Sequence, residues 1–326
     1  MTAAVETSGL TRVFGGGRTL WGTERQAVHA VTDVDLAVAR GETLGIVGES
    51  GCGKSTLARM LIGLDRPTGG SIRLGGDDMA ELLRRQPRSI PRRVQYVFQD
   101  PVSSLNPRKT IRQALEAPMR RLLGLPAPKR RDRLAELMHA VGLREEFLVR
   151  YPHEFSGGQA QRIAIARALA AEASTIVLDE PVSALDVSIQ AQVLNLLARL
   201  KREYGLTYIF ISHDLSVVES VSDRVAVMYF GRVVETGRAR DLFRSPRHPY
   251  TALLMRSAPV PGSRRIEPER DPAELPDPTQ PPPGCSFASR CPRVVDRCRA
   301  ERPSLTNGAG RTEAACWRPL DQGDER

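Results

Sequence analysis

Five short motifs hold the residues whose types and spacing could do chemistry. In chain order they are GESGCGKS at Gly48–Ser55, Gln99, FSGGQ at Phe155–Gln159, IVLDE at Ile176–Glu180 and His213. Binding and hydrolysis of a nucleoside triphosphate require glycines that curve around phosphate oxygens, a lysine, hydroxyl groups and adjacent carboxylates. Together these motifs contain all four. Each motif alone could be an accident, whereas the ordered set favours a triphosphate held between two copies of a folded unit.

The first motif fits the phosphate-loop pattern G-x-x-x-x-G-K-S. Lys54 is expected to contact the β and γ phosphates, Ser55 to offer its hydroxyl to Mg²⁺, and Thr56 to reach the α phosphate. The apolar run Thr43–Val47 precedes the loop and a helix-forming stretch follows it, which is the strand–loop–helix context that such a loop needs. The remaining loop residues predicted to bind nucleotide are Gly48, Ser50, Gly51, Cys52 and Gly53.

Asp179 and Glu180 follow an apolar strand, which places them at the carboxyl edge of a sheet beside the phosphate loop. Because adjacent side chains of an extended segment point apart, the two carboxylates can have different tasks. Asp179 is expected to face Mg²⁺, and Glu180 to polarise the attacking water. The alternative is a structural acidic cap.

Ser156 is predicted to begin a helix and to offer its hydroxyl and backbone N–H to an anion. Gly157 and Gly158 would allow close backbone approach. Since the chain already has one complete phosphate cradle, this second helix start makes sense if it serves the nucleotide of another subunit. The alternative is an ordinary N-capped helix.

Short strands that alternate with helices predict an α/β protein whose mostly parallel sheet is covered on both faces. Residues from Pro101 to about Pro152 show helical spacing, broken by Pro126 and Pro128, and are interpreted as a helical insertion. The segment Pro259–Pro283 is rich in proline and charge and predicts an extended linker.

The composition limits the compartment and the partners. The 326 residues suggest about two domains, and the net charge of +9 allows two interpretations. It could attract phosphates, nucleic acid or an anionic membrane, or it could reflect arginine spread over a solvated surface, which we favour. A stretch of about 18 apolar residues and a signal-peptide pattern are both missing, so we expect a cytoplasmic protein.

Taken together, the motifs resemble the nucleotide-binding domain of ABC transporter ATPases over about residues 8–245. The resemblance implies a P-loop fold with an antiparallel β subdomain, a helical subdomain at about residues 101–170, and ATP and Mg²⁺ as ligands. It implies that Ser156, Gly157, Gly158 and Gln159 form the family signature, which acts in trans on the γ phosphate.

The same resemblance assigns roles to single residues. Gln99 would sense Mg²⁺ and water and contact the membrane partner, and His213 would contact the γ phosphate. Asp186, in the SALD segment, would lie at the interface between the two ATPase subunits. Phe14 is the candidate for stacking on adenine, and Trp21 competes with it because residues 15–27 look like an insertion.

Two further stretches, QDPVSSLNPR at Gln99–Arg108 and RHPYTALL at Arg247–Leu254, resemble the ATPase subunits of bacterial dipeptide and oligopeptide importers, whose relatives also move nickel. Residues 246–326 would then form a C-terminal tail. Its cysteines are Cys285, Cys291, Cys298 and Cys316. Such a set suits a 4Fe–4S cluster, which some members of this group carry, with Zn²⁺ or unmetallated thiols as alternatives.

The leading hypothesis is therefore an importer ATPase at the cytoplasmic face of the membrane. Its expected partners are a second ATPase subunit, identical or different, two permeases and, indirectly, an outer solute-binding protein, with no nucleic acid. The leading solute is a dipeptide or oligopeptide, with nickel or another small solute as the alternative. A less favoured alternative is a soluble ABC-type ATPase acting in translation or DNA repair. A metal or electron-transfer protein would explain the tail but would leave the first 245 residues without a task.

Overall fold

A computed structural model describes residues 3–16, 26–257, 276–307 and 312–320 of the chain. The strands of these residues form two sheets, one of four and one of eight strands. In chain order the strands are β1 (Val5–Gly15), β2 (Ala27–Val38), β3 (Thr43–Val47), β4 (Gly69–Leu74), β5 (Asp77–Asp78), β6 (Val94–Val97), β7 (Thr175–Asp179), β8 (Thr207–Ile211), β9 (Arg224–Tyr229), β10 (Arg232–Arg238), β11 (Thr306–Asn307) and β12 (Thr312–Ala314).

Helices cover the larger sheet and build a separate layer beside it. In chain order they are α1 (Lys54–Leu61), α2 (Met79–Arg85), α3 (Ile111–Arg121), α4 (Ala127–Ala140), α5 (Gly157–Leu169), α6 (Val187–Tyr204), α7 (Leu215–Val221), α8 (Ala239–Arg244), α9 (Pro249–Ser257) and α10 (Asp296–Ala300).

The eight-stranded sheet has the order β11-β12-β10-β9-β3-β8-β7-β6, and β3, β6, β7, β8 and β9 run parallel to their neighbours within that set. Every residue of β3, β7 and β8 is buried, as expected for strands covered on both faces. Because parallel strands share one carboxyl edge, the loops after β3, β6, β7 and β8 meet there.

The smaller sheet is antiparallel and has the order β2-β1-β4-β5. Val31 and Val34 of β2 and Leu10 of β1 are completely buried, and they pack with α1 in one apolar cluster. The predicted α/β architecture with an antiparallel β subdomain is confirmed.

Helices α3, α4 and α5 form the predicted helical layer, with Leu115, Leu137 and Ile163 buried between them. The predicted break at Pro126 and Pro128 is only half right. Pro126 precedes α4, but Pro128 lies within its first turn, where a missing N–H costs no hydrogen bond.

The end of the chain joins the larger sheet, which the sequence pattern does not predict. Strand β12 pairs antiparallel with β10, and β11 pairs with β12. The side chain of Glu235, in β10, is fully buried and accepts hydrogen bonds of 2.8 Å from the backbone N–H groups of Arg247 and His248. These bonds fix the chain just before α9.

Among the helices that the structure describes, none has the length and apolar character needed to span a membrane.

Candidate functional site

The phosphate loop connects β3 to α1, and two of its glycines leave no room for a side chain. A Cβ atom on Gly48 would lie 2.1 Å from the carbonyl oxygen of Met228, and one on Gly53 would lie 2.2 Å from that of Ala30. Gly53 also has φ 103°, which side chains rarely allow. The loop is thus pressed against β9 and β2, while Ser50 and Gly51 face solvent.

Lys54 points back into the loop. Its Nζ donates hydrogen bonds of 2.8 Å to the carbonyl oxygens of Gly48 and Glu49, and the residue is only 7% exposed. Cys52 is buried beside it, with 3.8 Å between Sγ and Nζ, and burial raises the pKa of the thiol. A neutral thiol and a positive lysine therefore form the floor of the loop.

Ser55 and Asp179 meet at the carboxyl edge of the sheet. The hydroxyl of Ser55 donates to Oδ1 of Asp179 at 3.4 Å, and the phenol of Tyr96 donates to Oδ2 at 2.5 Å. Burial, reinforced by Asp179, raises the pKa of Tyr96, so the phenol stays a donor. The structure thus places a hydroxyl and a carboxylate together, the hard oxygen ligands that Mg²⁺ prefers.

Glu180 points away from Asp179 and is held by two side chains. Oε2 accepts a hydrogen bond of 3.0 Å from Nε2 of Gln99, and Oε1 lies 3.1 Å from Nδ1 of His213. The backbone of Glu180 has φ 47°, a strained conformation for a residue with a side chain. The structure therefore brings Gln99, Glu180 and His213 into one cluster.

The segment Phe155–Gln159 begins α5 and is partly exposed. Ser156 and Gln159 form a capping box, in which Ser156 Oγ accepts from the backbone N–H of Gln159 at 3.4 Å and Gln159 Oε1 accepts from that of Ser156 at 3.2 Å. Both groups of Ser156 are thus engaged within their own helix. A Cβ atom on Gly158 would lie 2.6 Å from Cγ2 of Ile189, whereas one on Gly157 would lie 3.3 Å from Leu185.

Asp186 lies at the start of α6, exposed, and its side chain makes no capping hydrogen bond. Its neighbour Val187 is 82% exposed, which is unusual for a large apolar side chain. The predicted interface segment is thus on the surface.

Phe14 lies near the end of β1 opposite Val28, and the guanidinium of Arg12 lies 4.4 Å from the centre of its ring. One face of the aromatic ring is therefore already covered by a cation. Trp21, the competing candidate, lies outside the described residues.

The iron–sulfur prediction is wrong. The cysteines Cys285, Cys291, Cys298 and Cys316 line one small cavity together with His248 and Phe287. Within the part of the chain that the structure describes, however, no group of three or more His, Cys, Asp or Glu side chains is placed to hold a metal ion. Burial raises the pKa of Cys285 and Cys291, and that of Cys316 to about 11, which favours neutral thiols over the thiolates that metals need. The zinc alternative is likewise unsupported.

Sequence reasoning missed two features of the site. Tyr96 lies in the short strand β6, and nothing in its local pattern indicates a contact with Asp179. The tail residue Arg290 reaches the phosphate loop, and 241 positions separate it from its partner Glu49. A signal for such a long-range pair is absent from a single sequence.

Two family profiles match the chain. The profile described as "ABC transporter" matches residues 31–183, and the profile described as "Oligopeptide/dipeptide transporter, C-terminal region" matches residues 234–298. The second match includes most of β10, all of α9 and three of the four tail cysteines.

Curated relatives match over most of the chain. A probable peptide ABC transporter ATP-binding protein of Sinorhizobium fredii is 51% identical over 295 residues, covering 90% of this chain and 84% of the relative. The dipeptide transport ATP-binding protein DppF of Escherichia coli is 47% identical over 307 residues, covering 92% and 90%.

Among solved structures, a dimeric post-hydrolysis state of an ATP-binding cassette bound to ADP and Pi superimposes with a TM-score of 0.64 at 29% identity. The match covers 72% of this chain and 99% of that one.

Proposed function

Because the chain belongs to the family of ATP-binding proteins of oligopeptide and dipeptide ABC transporters, we propose that it powers the uptake of small peptides by hydrolysing ATP. The observation that carries the proposal is the meeting of the phosphate loop, Asp179 and the Gln99–Glu180–His213 cluster at one sheet edge. This arrangement provides separate places for the phosphates, the metal and the attacking water.

The nucleotide would bind with its phosphates in the loop, where Lys54 supplies a buried positive charge. The loop residues Gly48, Ser50, Gly51, Cys52, Gly53, Ser55 and Thr56 would surround it, and Phe14 would stack on adenine. Ser55, Asp179 and Gln99 would hold Mg²⁺, because their oxygen atoms suit this ion. Bound Mg²⁺ would neutralise negative charge on the phosphates.

Glu180 would act as the general base that polarises the attacking water. Gln99 and His213 would orient its carboxylate, since each contacts a different oxygen. The hydrogen bonds leave the carboxylate with free lone pairs, so it can accept a proton while it stays in place. His213 would in addition contact the γ phosphate.

A second ATPase subunit would complete the site. Ser156 and Gly157 are exposed at the start of α5. Asp186 and Val187 are exposed at the start of α6, the helix that follows β7. We propose that Ser156–Gln159 faces the γ phosphate bound by the partner and that Asp186 lies in the interface. The capping hydrogen bonds of Ser156 would keep the helix start ready-formed.

One of the two permeases would dock beside Gln99. A groove there is lined by Leu64 and Phe98, which are 61% and 38% exposed, and by residues of α3. Large apolar side chains at a surface groove suit an amphipathic helix, so we propose that a cytoplasmic helix of a permease occupies it. The chain would then lie at the cytoplasmic face of the membrane, and an outer solute-binding protein would deliver the peptide.

The test replaces Glu180 by Gln, which preserves size and hydrogen bonding but removes the base. Phosphate release from MgATP should fall by about 10²–10⁴-fold, while ATP binding is retained and closed dimers accumulate in size-exclusion chromatography. Glu172→Gln is a matched control, because Glu172 also has a positive φ of 55° but is exposed after α5. Hydrolysis by Glu180→Gln at the unmodified rate would refute the assignment.

The transported solute needs its own measurement. Cells that express the chain with its permeases should take up a labelled dipeptide, and the Glu180→Gln variant should abolish that uptake. Uptake of nickel in place of the dipeptide would exclude the peptide assignment and leave the ATPase intact.

A further inference from the structure

An arginine of the C-terminal tail forms a salt bridge with a carboxylate of the phosphate loop. The guanidinium of Arg290 donates to both carboxylate oxygens of Glu49, at 2.8 and 3.0 Å. The two side chains are only 13% and 26% exposed. Such a two-point pair is strong and fixes orientation as well as distance.

Glu49 is also held by its backbone. Its N–H donates to the phenol oxygen of Tyr250, in α9, at 2.9 Å. The ring of Tyr250 is fully buried and packs 5.4 Å from that of Phe287, between ring centres. The guanidinium of Arg290 lies 5.8 Å from the centre of the same Phe287 ring. Residues that follow β10 in the chain therefore hold both the side chain and the backbone of Glu49.

Glu49 in turn shapes the loop. Its carbonyl oxygen accepts the 2.8 Å hydrogen bond from Lys54, and it also accepts one of 3.3 Å from the N–H of Cys52. A shift of Glu49 would thus move both the lysine and the turn that presents backbone N–H groups to phosphates. Glu49 also places a negative charge in the loop that binds polyphosphate, which would repel the ligand unless a cation neutralised it.

We propose that Arg290 is a positioning residue for ATP binding, which acts through Glu49 by fixing the phosphate loop and by neutralising its carboxylate. The tail thereby becomes part of the nucleotide site through its contact with Glu49. The inference depends on the proposed function, because it assumes that the loop binds ATP.

The experiment measures binding of a non-hydrolysable ATP analogue with Mg²⁺ to the full chain by calorimetry. Arg290→Gln should weaken binding about tenfold, because a charged partner is left unneutralised. Arg290→Lys should lie between this variant and the unmodified chain, since lysine keeps the charge but loses the two-point geometry. Glu49→Gln should raise the affinity more in Arg290→Gln than in the unmodified chain, a coupling that a merely destabilised tail would not produce.

Arg297→Gln is the matched control. Arg297 pairs with Glu301 at 2.8 Å inside the tail, and its contacts there do not include the phosphate loop. It should leave the affinity unchanged. The proposal is overturned if Arg290→Gln binds within twofold of the unmodified chain, if Arg297→Gln weakens binding equally, or if Glu49→Gln changes the affinity equally in both backgrounds. Failure of the unmodified chain to bind the analogue would instead refute the proposed function, and the inference with it.

Discussion

Removal of the Tyr96 hydroxyl should weaken both the fold and the metal site. The phenol donates at 2.5 Å to Asp179, and both residues are less than a tenth exposed. In Tyr96→Phe, the carboxylate keeps only the long contact of 3.4 Å with Ser55. A hydrogen bond to a charged group contributes about 1.5–3 kcal/mol, so we expect the free energy of unfolding to fall by about 2 kcal/mol without nucleotide.

Tyr208→Phe provides the comparison. Tyr208 is 3% exposed, and its phenol donates at 3.1 Å to the backbone carbonyl of Leu197, away from the site. A neutral hydrogen bond contributes about 0.5–1.5 kcal/mol, so this variant should lose about 1 kcal/mol. Urea denaturation of both variants, without nucleotide, measures the difference.

Titration with Mg²⁺ then separates the two effects. A residue that orients a metal ligand typically changes metal affinity or activity by about 10–100-fold, so Tyr96→Phe should need about tenfold more Mg²⁺ for half-maximal hydrolysis. Tyr208→Phe should need the unmodified concentration. The reasoning is refuted if the two variants lose equal stability and show the same Mg²⁺ dependence.

Two further predictions concern α5 and the base of the tail. Gly158→Ala should lower the free energy of unfolding by about 1–3 kcal/mol, because the new Cβ would lie 2.6 Å from Ile189. Gly157→Ala should cost less, because its nearest contact would be at 3.3 Å. Equal thermal midpoints of the two variants would contradict this prediction. Burial lowers the pKa of His248 to about 4. Between pH 6.5 and 4 the imidazole is therefore protonated in the unfolded chain but neutral in the folded chain. The free energy of unfolding should fall by about 3 kcal/mol as the pH drops through this range. His248→Gln should remove that part of the pH dependence in urea denaturation, and an unchanged slope would contradict the assignment.

Local sequence predicts the parts of the site whose structure is locally determined. The strand Thr43–Val47 has the predicted bounds because it is an apolar run that ends at a glycine-rich loop. Asp179 and Glu180 contact different partners, but the orientation of Glu180 does not follow from strand alternation, because this residue lies just after β7 with a φ of 47°.

Contacts between distant segments could not be predicted in this way. Strand β12 has three residues, too few for a recognisable pattern, and its partner β10 lies far back in the chain. The cysteine spacing suits a metal cluster, but spacing carries no information on burial. Burial raises the pKa of these thiols and so favours their neutral form. For Arg290, one arginine of many in the sequence, only the fold reveals the pair with Glu49.

The pairing of β12 with β10 makes residues Thr312–Ala314 a protective cover for the edge of the catalytic sheet. Without them, β10 would present a row of unpaired N–H and C=O groups to solvent, and such an open edge recruits strands from other molecules. A chain shortened before β12 should therefore self-associate rather than yield an isolated ATPase module. Proteolytic cleavage before β12 should likewise remove the protein from the active pool by aggregation.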